Sequence, residues 1–129
     1  MGLFDKFKKK SEKSMHYDDK LKRYVIEING IIFVCEEEQD EDYINNLSVI
    51  ADNYYDNLNS IVDFIMPDIN EMYHQSDIDM IKENLGKPII DYDNGTVEYL
   101  EQTFDDIHIF SFEFLDDDFK DIQYFSIDG

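Results

Sequence analysis

Residues 86–129 read GKPIIDYDNGTVEYLEQTFDDIHIFSFEFLDDDFKDIQYFSIDG. Four apolar or alternating runs lie in this stretch, parted by Asp93-Asn94-Gly95, Thr103-Phe104-Asp105-Asp106 and Asp116-Asp117-Asp118, which is the pattern of strands joined by turns. The last third of the chain therefore predicts an antiparallel meander. In residues 107–115 a period of two sets Phe110, Phe112 and Phe114 on one face with His108, and Ile107, Ile109, Ser111 and Glu113 on the other. In residues 119–127 both faces carry apolar groups, Phe119, Phe125 and Ile127 against Ile122 and Tyr124, which predicts a strand inside the sheet rather than at its edge.

Upstream, residues 23–36 read RYVIEINGIIFVCE, two β-branched runs joined by Asn29-Gly30. Asn-Gly supplies the positive φ angles that a two-residue type I′ hairpin requires. With Ile28 opposite Ile31, one face carries Tyr24, Ile26, Ile28, Ile31, Phe33 and Cys35, and this face is the expected core side. Between hairpin and meander the period changes: Ile44, Leu47, Ile50, Ala51, Tyr54, Leu58, Ile61, Val62 and Ile65 recur at steps of three and four. An amphipathic helix is expected from Glu41, ended or kinked at Pro67. A shorter helix follows, with Ser76 as its cap and Gly86 as its stop; residues 68–75 between the two can read as helix or loop. The fold expected is α+β: an antiparallel sheet of N-terminal hairpin and C-terminal meander, with the helices of residues 41–85 packed on one face.

A chain of 129 residues and 15.4 kDa is the size of one domain. Its hydrophobic share of 43% and its 10 Phe and 9 Tyr are too rich for a disordered acidic protein, even at a net charge of −20. Charge is unevenly placed. Residues 1–23 hold eight Lys or Arg against four Asp or Glu, a balance of +4, whereas residues 24–129 hold three against 27, a balance of −24. Residues 1–20 thus read as a basic, mobile arm on a single acidic domain of residues 21–129, and the first 15 or so are expected to supply few core side chains. Leu3, Phe4 and Phe7 would share one side of a short helix ringed by Lys6, Lys8, Lys9 and Lys10. Residues 1–10 are therefore either a solvated tail or a weak contact with an anionic membrane surface. A single cysteine, no apolar run of membrane-spanning length and no signal sequence give a cytoplasmic expectation.

No catalytic, cofactor or metal motif stands out, and no cofactor is expected. Asp91, Asp93 and Gly95 resemble part of a calcium loop, but Gln102 stands where the closing Glu belongs, so a hairpin turn is the better reading. Cys35 sits in an apolar run with no basic neighbour and reads as a small buried residue. His108 with Asp105, Asp106 or Glu113 is a constellation suited to acid–base work, as in a small hydrolase or transferase; His108 with Cys35 across a sheet would make a nucleophile and base, but no oxyanion-hole loop or Gly-rich element accompanies them. The carboxylates carry a different signal through their number. Glu36, Glu37, Glu38, Asp40, Glu41 and Asp42 form one cluster; Asp105, Asp106, Asp116, Asp117, Asp118 and Asp121 form another. Such a surface repels nucleic acid and attracts basic proteins.

In Leu85-Gly86-x-Pro88, Asp93-Asn94-Gly95-x-Val97-x-Tyr99-Leu100, Thr103-x-Asp105-Asp106-x-His108-Ile109, Glu113-Phe114 and Ser126-Ile127-Asp128-Gly129, the chain resembles small uncharacterised bacterial domain families. Some of their members are encoded near polymorphic toxins and are read as immunity proteins. The likeness covers mainly residues 85–129 and rests on turn and strand residues. It implies a shared fold and a toxin as partner, and it carries over no functional residue. The function expected is a non-enzymatic binding protein of the immunity or inhibitor type that presents an acidic surface to a basic protein; the alternative is the hydrolase or transferase built on His108.

Overall fold

The structure, a computed structural model, describes residues 14–74 and 77–129. Asn29 and Gly30 take φ of 51° and 80° at the tip of the hairpin. β2 (Arg23–Ile28) and β3 (Ile31–Cys35) pair antiparallel from Ile28↔Ile31 to Tyr24↔Cys35. The meander supplies β4 (Ile89–Asp91), β5 (Thr96–Tyr99), β6 (Ile109–Phe114) and β7 (Ile122–Asp128), each antiparallel to the next. A short β1 (His16–Asp18) pairs with β2, so seven strands lie in sequence order across one sheet. Among the described strands β3 and β4 are the one parallel pair, Ile32↔Ile89 and Phe33↔Ile90. A parallel pair needs a long crossover, and the helical segment provides it.

That segment folds as α1 (Glu41–Asp56), α2 (Leu58–Tyr73) and α3 (Ile78–Leu85). Where the sequence reading ended or kinked the first helix at Pro67, the break falls at Asn57, whose N–H bonds to the carbonyls of Asn53 and Tyr54 and whose side chain also reaches Asn53. Pro67 sits inside α2. Proline deprives the carbonyl four residues earlier of its donor; here that residue is Asp63, and both Asp63 and Pro67 lie on the exposed side, open to solvent. α3 is capped by Asp77, whose carboxylate accepts from the Met80 N–H at 2.9 Å, rather than by Ser76, which lies outside the described residues. Gly86 ends it at φ 77°, and a Cβ there would stand 2.7 Å from the Glu101 carbonyl oxygen.

Leu47, Ile50, Ala51, Tyr54, Ile61, Val62, Ile65, Ile69, Ile81 and Leu85 from the helices pack on one face of the sheet. They meet Ile26, Ile31, Phe33, Cys35, Ile90, Val97, Tyr99, Phe110, Phe112 and Phe114. Each large side chain so buried contributes about 1.5–3 kcal/mol. Deep in this core the Tyr54 and Tyr99 hydroxyls lie 2.6 Å apart, so each has a hydrogen-bond partner. On the opposite face Val25, Val34 and Ile89 form a smaller cluster with Leu21 and Ile32.

Two further sequence expectations, both about the sheet, need correction. β7 is an edge strand, not an interior one. Its apolar residues point both ways for local reasons: Phe119 belongs to the preceding loop, and Tyr124 and Phe125 together oppose Phe112, between the pairs Ser111↔Ser126 and Glu113↔Gln123. Two residues against one make a β-bulge, with Tyr124 at φ 56° and 72% exposed while Phe125 turns inward onto Phe110. The sheet also starts earlier than the expected arm allowed. Residues 16–18 are a strand, and Met15 is a core residue whose sulfur accepts from the Gln39 N–H. The membrane-contact expectation for residues 1–10 lies outside the described residues.

Candidate functional site

The strand directions decide which loops meet. Because β3 and β4 run parallel, the segment after Cys35 and the turn after Asp91 leave the sheet at the same end. β6 returns to that end as well, with Thr96 opposite Glu113 and the Phe114 N–H donating to the Gly95 carbonyl at 2.9 Å. Three acidic stretches distant in sequence, residues 36–42, 91–93 and 116–121, therefore share one end of the molecule.

Side chains tie them together. Tyr43, in the first turn of α1, donates to Asp93 at 2.9 Å, and Tyr92 donates to Asp117 at 3.0 Å; the two rings meet edge-on with centroids 6.2 Å apart. Burial, then the bond to its carboxylate, pushes each phenol up from its ordinary value, so both stay neutral donors. Asn53 of α1 donates to the Asp117 carbonyl at 3.0 Å. Asp116 turns its carboxylate back on its own loop and accepts from the N–H groups of Lys120 and Asp121. Phe119 then drops into the core at φ 58° and 1% exposure, against Tyr54 and Phe114. A bulky residue held in the left-handed region costs on the order of 1 kcal/mol, and here it fixes the acidic loop to the body.

Asp40 is less free than its neighbours, since it caps α1 by accepting from the Tyr43 N–H at 2.9 Å. Glu41 and Asp42 face the positive end of that helix. Glu36, Glu37, Glu38, Asp93, Asp117, Asp118 and Asp121 remain exposed. Asp91 is nearly buried and neutralised, accepting from Arg23 at 2.8 Å and from the Asn94 amide at 2.7 Å. That bonding is a hairpin turn's. Among the described residues no group of three or more His, Cys, Asp or Glu side chains is placed to hold a metal ion. Asp91 and Asp93 were missed as members of this surface because the parallel β3–β4 pairing that brings them there is not local in sequence.

The second predicted cluster is split. Asp105 and Asp106 lie beyond the opposite end of β6, some six strand residues, or roughly 20 Å, away from Asp116. There they line an open cleft of about 560 Å³ with Leu100, Gln102, Thr103 and His108. His108 is not packed among the three Phe residues of β6. Its Nδ1 lies 2.6 Å from Asp105 Oδ2, which also accepts from the Tyr73 hydroxyl at 2.5 Å. Asp105 Oδ1 accepts from Gln102 and from the N–H groups of Ile107 and His108. Burial raises the Asp105 carboxyl, but the bonds from Tyr73, His108, Gln102 and the Ile107 N–H outweigh it and hold the group well below the ordinary carboxylate range. Glu113 stays apart, bonded to Gln123 on the outer side of β6. Cys35 is buried, with its thiol pushed up by that burial and bonded to Tyr43, as a structural cysteine is.

Comparison of the chain with protein-family models, with curated proteins and with solved structures returns no match. Among the described residues no helix is long and apolar enough to cross a membrane.

Proposed function

We propose that the protein is a binding protein of the immunity or inhibitor type, whose acidic end takes a basic protein partner such as a toxin. The observation that carries this reading is the pinning of Asp117. Its carboxylate, its carbonyl and its loop are each held, by Tyr92, Asn53 and Phe119, while the carboxylates of Asp93, Asp117 and Asp118 stay exposed. A surface that only confers solubility has no need of fixed carboxylates, whereas a recognition surface gains by losing little side-chain freedom on binding. Tests begin with co-expression with basic toxins encoded beside the gene. Neutralisation that is lost in the triple variant Asp93→Asn, Asp117→Asn, Asp118→Asn, and kept in Glu98→Gln, a change at an exposed carboxylate of β5, supports the proposal; neutralisation of no basic protein sinks it.

A second reading, a hydrolase or transferase with His108 as base, is favoured by the 2.6 Å contact with Asp105 in an open cleft. The surroundings weaken it. The Thr103 hydroxyl is spent on Asn84, and the neighbouring N–H groups of Ile107 and His108 are spent on Asp105, so neither nucleophile nor oxyanion donors stand ready. Turnover of activated esters that disappears in His108→Ala would restore this reading.

A further inference from the structure

The cleft at the far end of the sheet holds a set of polar groups whose partners can be followed one by one. Gln102, 6% exposed, donates to Asp105 and to the His108 carbonyl, and accepts from the N–H groups of Phe104 and Asp105. The Thr103 hydroxyl donates to Asn84 at 2.5 Å. Both oxygens of Asp105 are engaged, as described above. Two groups remain. The Asp106 carboxylate is exposed and bonded to no described side chain, and His108 uses only Nδ1.

Asp105 accepts at both oxygens, so in the neutral His108 ring the proton lies on Nδ1 and Nε2 carries the lone pair. Both vacant groups in the cleft are thus acceptors in that form of the ring, and among the described residues no Lys or Arg lines it. Leu100, 39% exposed, adds an apolar wall, and Ile107, 69% exposed, flanks Asp106 in the chain. We infer that this cleft is a binding site for a cationic donor on a short apolar stem, a guanidinium or alkylammonium group, held by the Asp106 carboxylate and His108 Nε2 with its stem against Leu100. A guanidinium suits it best, because its planar fork of N–H donors can meet two separate acceptors at once. A transition metal suits it less, since His108 and Asp106 supply two ligands where three or four are usual. The same cation can come from a free small molecule or from an arginine side chain. The site is independent of the acidic end, from which β6 separates it.

Titration of the intact protein with n-butylguanidine, with the peptide Gly-Gly-Arg-Gly-Gly and with neutral n-butylurea, followed at the His108 ring nitrogens by NMR, tests the assignment. The two cations are expected to give saturable shifts at Nε2, the urea none, and Asp106→Asn should weaken binding about tenfold through loss of a charge-assisted bond. Asp106 is exposed and unbonded, so its variant keeps the fold, which the unchanged remainder of the spectrum verifies. Tighter binding of the peptide assigns the site to a protein partner, and tighter binding of butylguanidine to a small molecule. Absence of saturation by either cation, equal binding of the urea, an unaffected Asp106→Asn variant, or saturation by Zn²⁺ alone each overturns the inference.

Discussion

Asp105 gathers more bonds than any other carboxylate described here. It joins Tyr73 of α2 to Gln102 and His108 in the loop between β5 and β6, and so couples a helix end to the lip of the cleft. Its replacement by Ala would leave the buried Gln102 amide and two backbone N–H groups short of an acceptor, at a cost of about 2–3 kcal/mol. Urea denaturation of Asp105→Ala measures this directly. The sign of the pH effect follows from a carboxyl depressed in the folded state: its stabilisation is complete above the ordinary value of 3.8 and is lost as pH falls below it. Asp105→Asn should therefore flatten the decline in stability below about pH 4, and an acid limb as steep as the parent's would contradict that. Cys35, at 2% exposure and with its thiol pushed up by burial, is expected to resist thiol reagents in the native protein and to react at once on unfolding.

At the scale of elements, the bulge in β7 is the feature with the clearest energetic signature. Tyr124 stands at φ 56° and is 72% exposed, so glycine in its place loses little packing and relieves a left-handed strain. Tyr124→Gly is expected to be neutral or to stabilise by up to about 1 kcal/mol, against the loss that glycine normally causes in a strand; a large fall in melting temperature would show that Tyr124 is packed. Such a bulge also blunts an edge strand against pairing with other chains. This element explains a limit of sequence reading. The Asn29-Gly30 hairpin was legible because its turn chemistry is local, and the helices were legible because their apolar stripes repeat. A bulge, a plug such as Phe119, and a break at Asn57 in place of Pro67 depend on what lies opposite, which period counting does not contain. Likewise His108 was assigned to the Phe face by alternation, yet β6 begins only at Ile109 and the residue before it turns to Asp105.

For the whole molecule, the decisive fact is the polarity of the sheet. One parallel pair, β3 with β4, puts residues 36–42, 91–93 and 116–121 at one end and leaves Asp105, Asp106 and His108 at the other. A sequence shows how many acids there are, and this pairing decides which of them act together. Arg23 is engaged by Asp91 and Glu36, at 2.8 and 3.8 Å, so its charge does little to offset the field of the exposed carboxylates. Association with a basic partner should consequently be fast at low ionic strength and slow by at least about tenfold as salt rises well above physiological levels. The most direct measurement is stopped-flow or biosensor binding of defined basic proteins, including the products of neighbouring genes, to three forms of the protein: the parent, the Asp93, Asp117 and Asp118 triple Asn variant, and Glu98→Gln on the exposed side of β5. Saturable, salt-sensitive binding to the parent that collapses in the triple variant and survives in Glu98→Gln is the expected result. No saturable binding to the parent, or equal binding to all three forms, would contradict the assignment of the acidic end as the recognition surface.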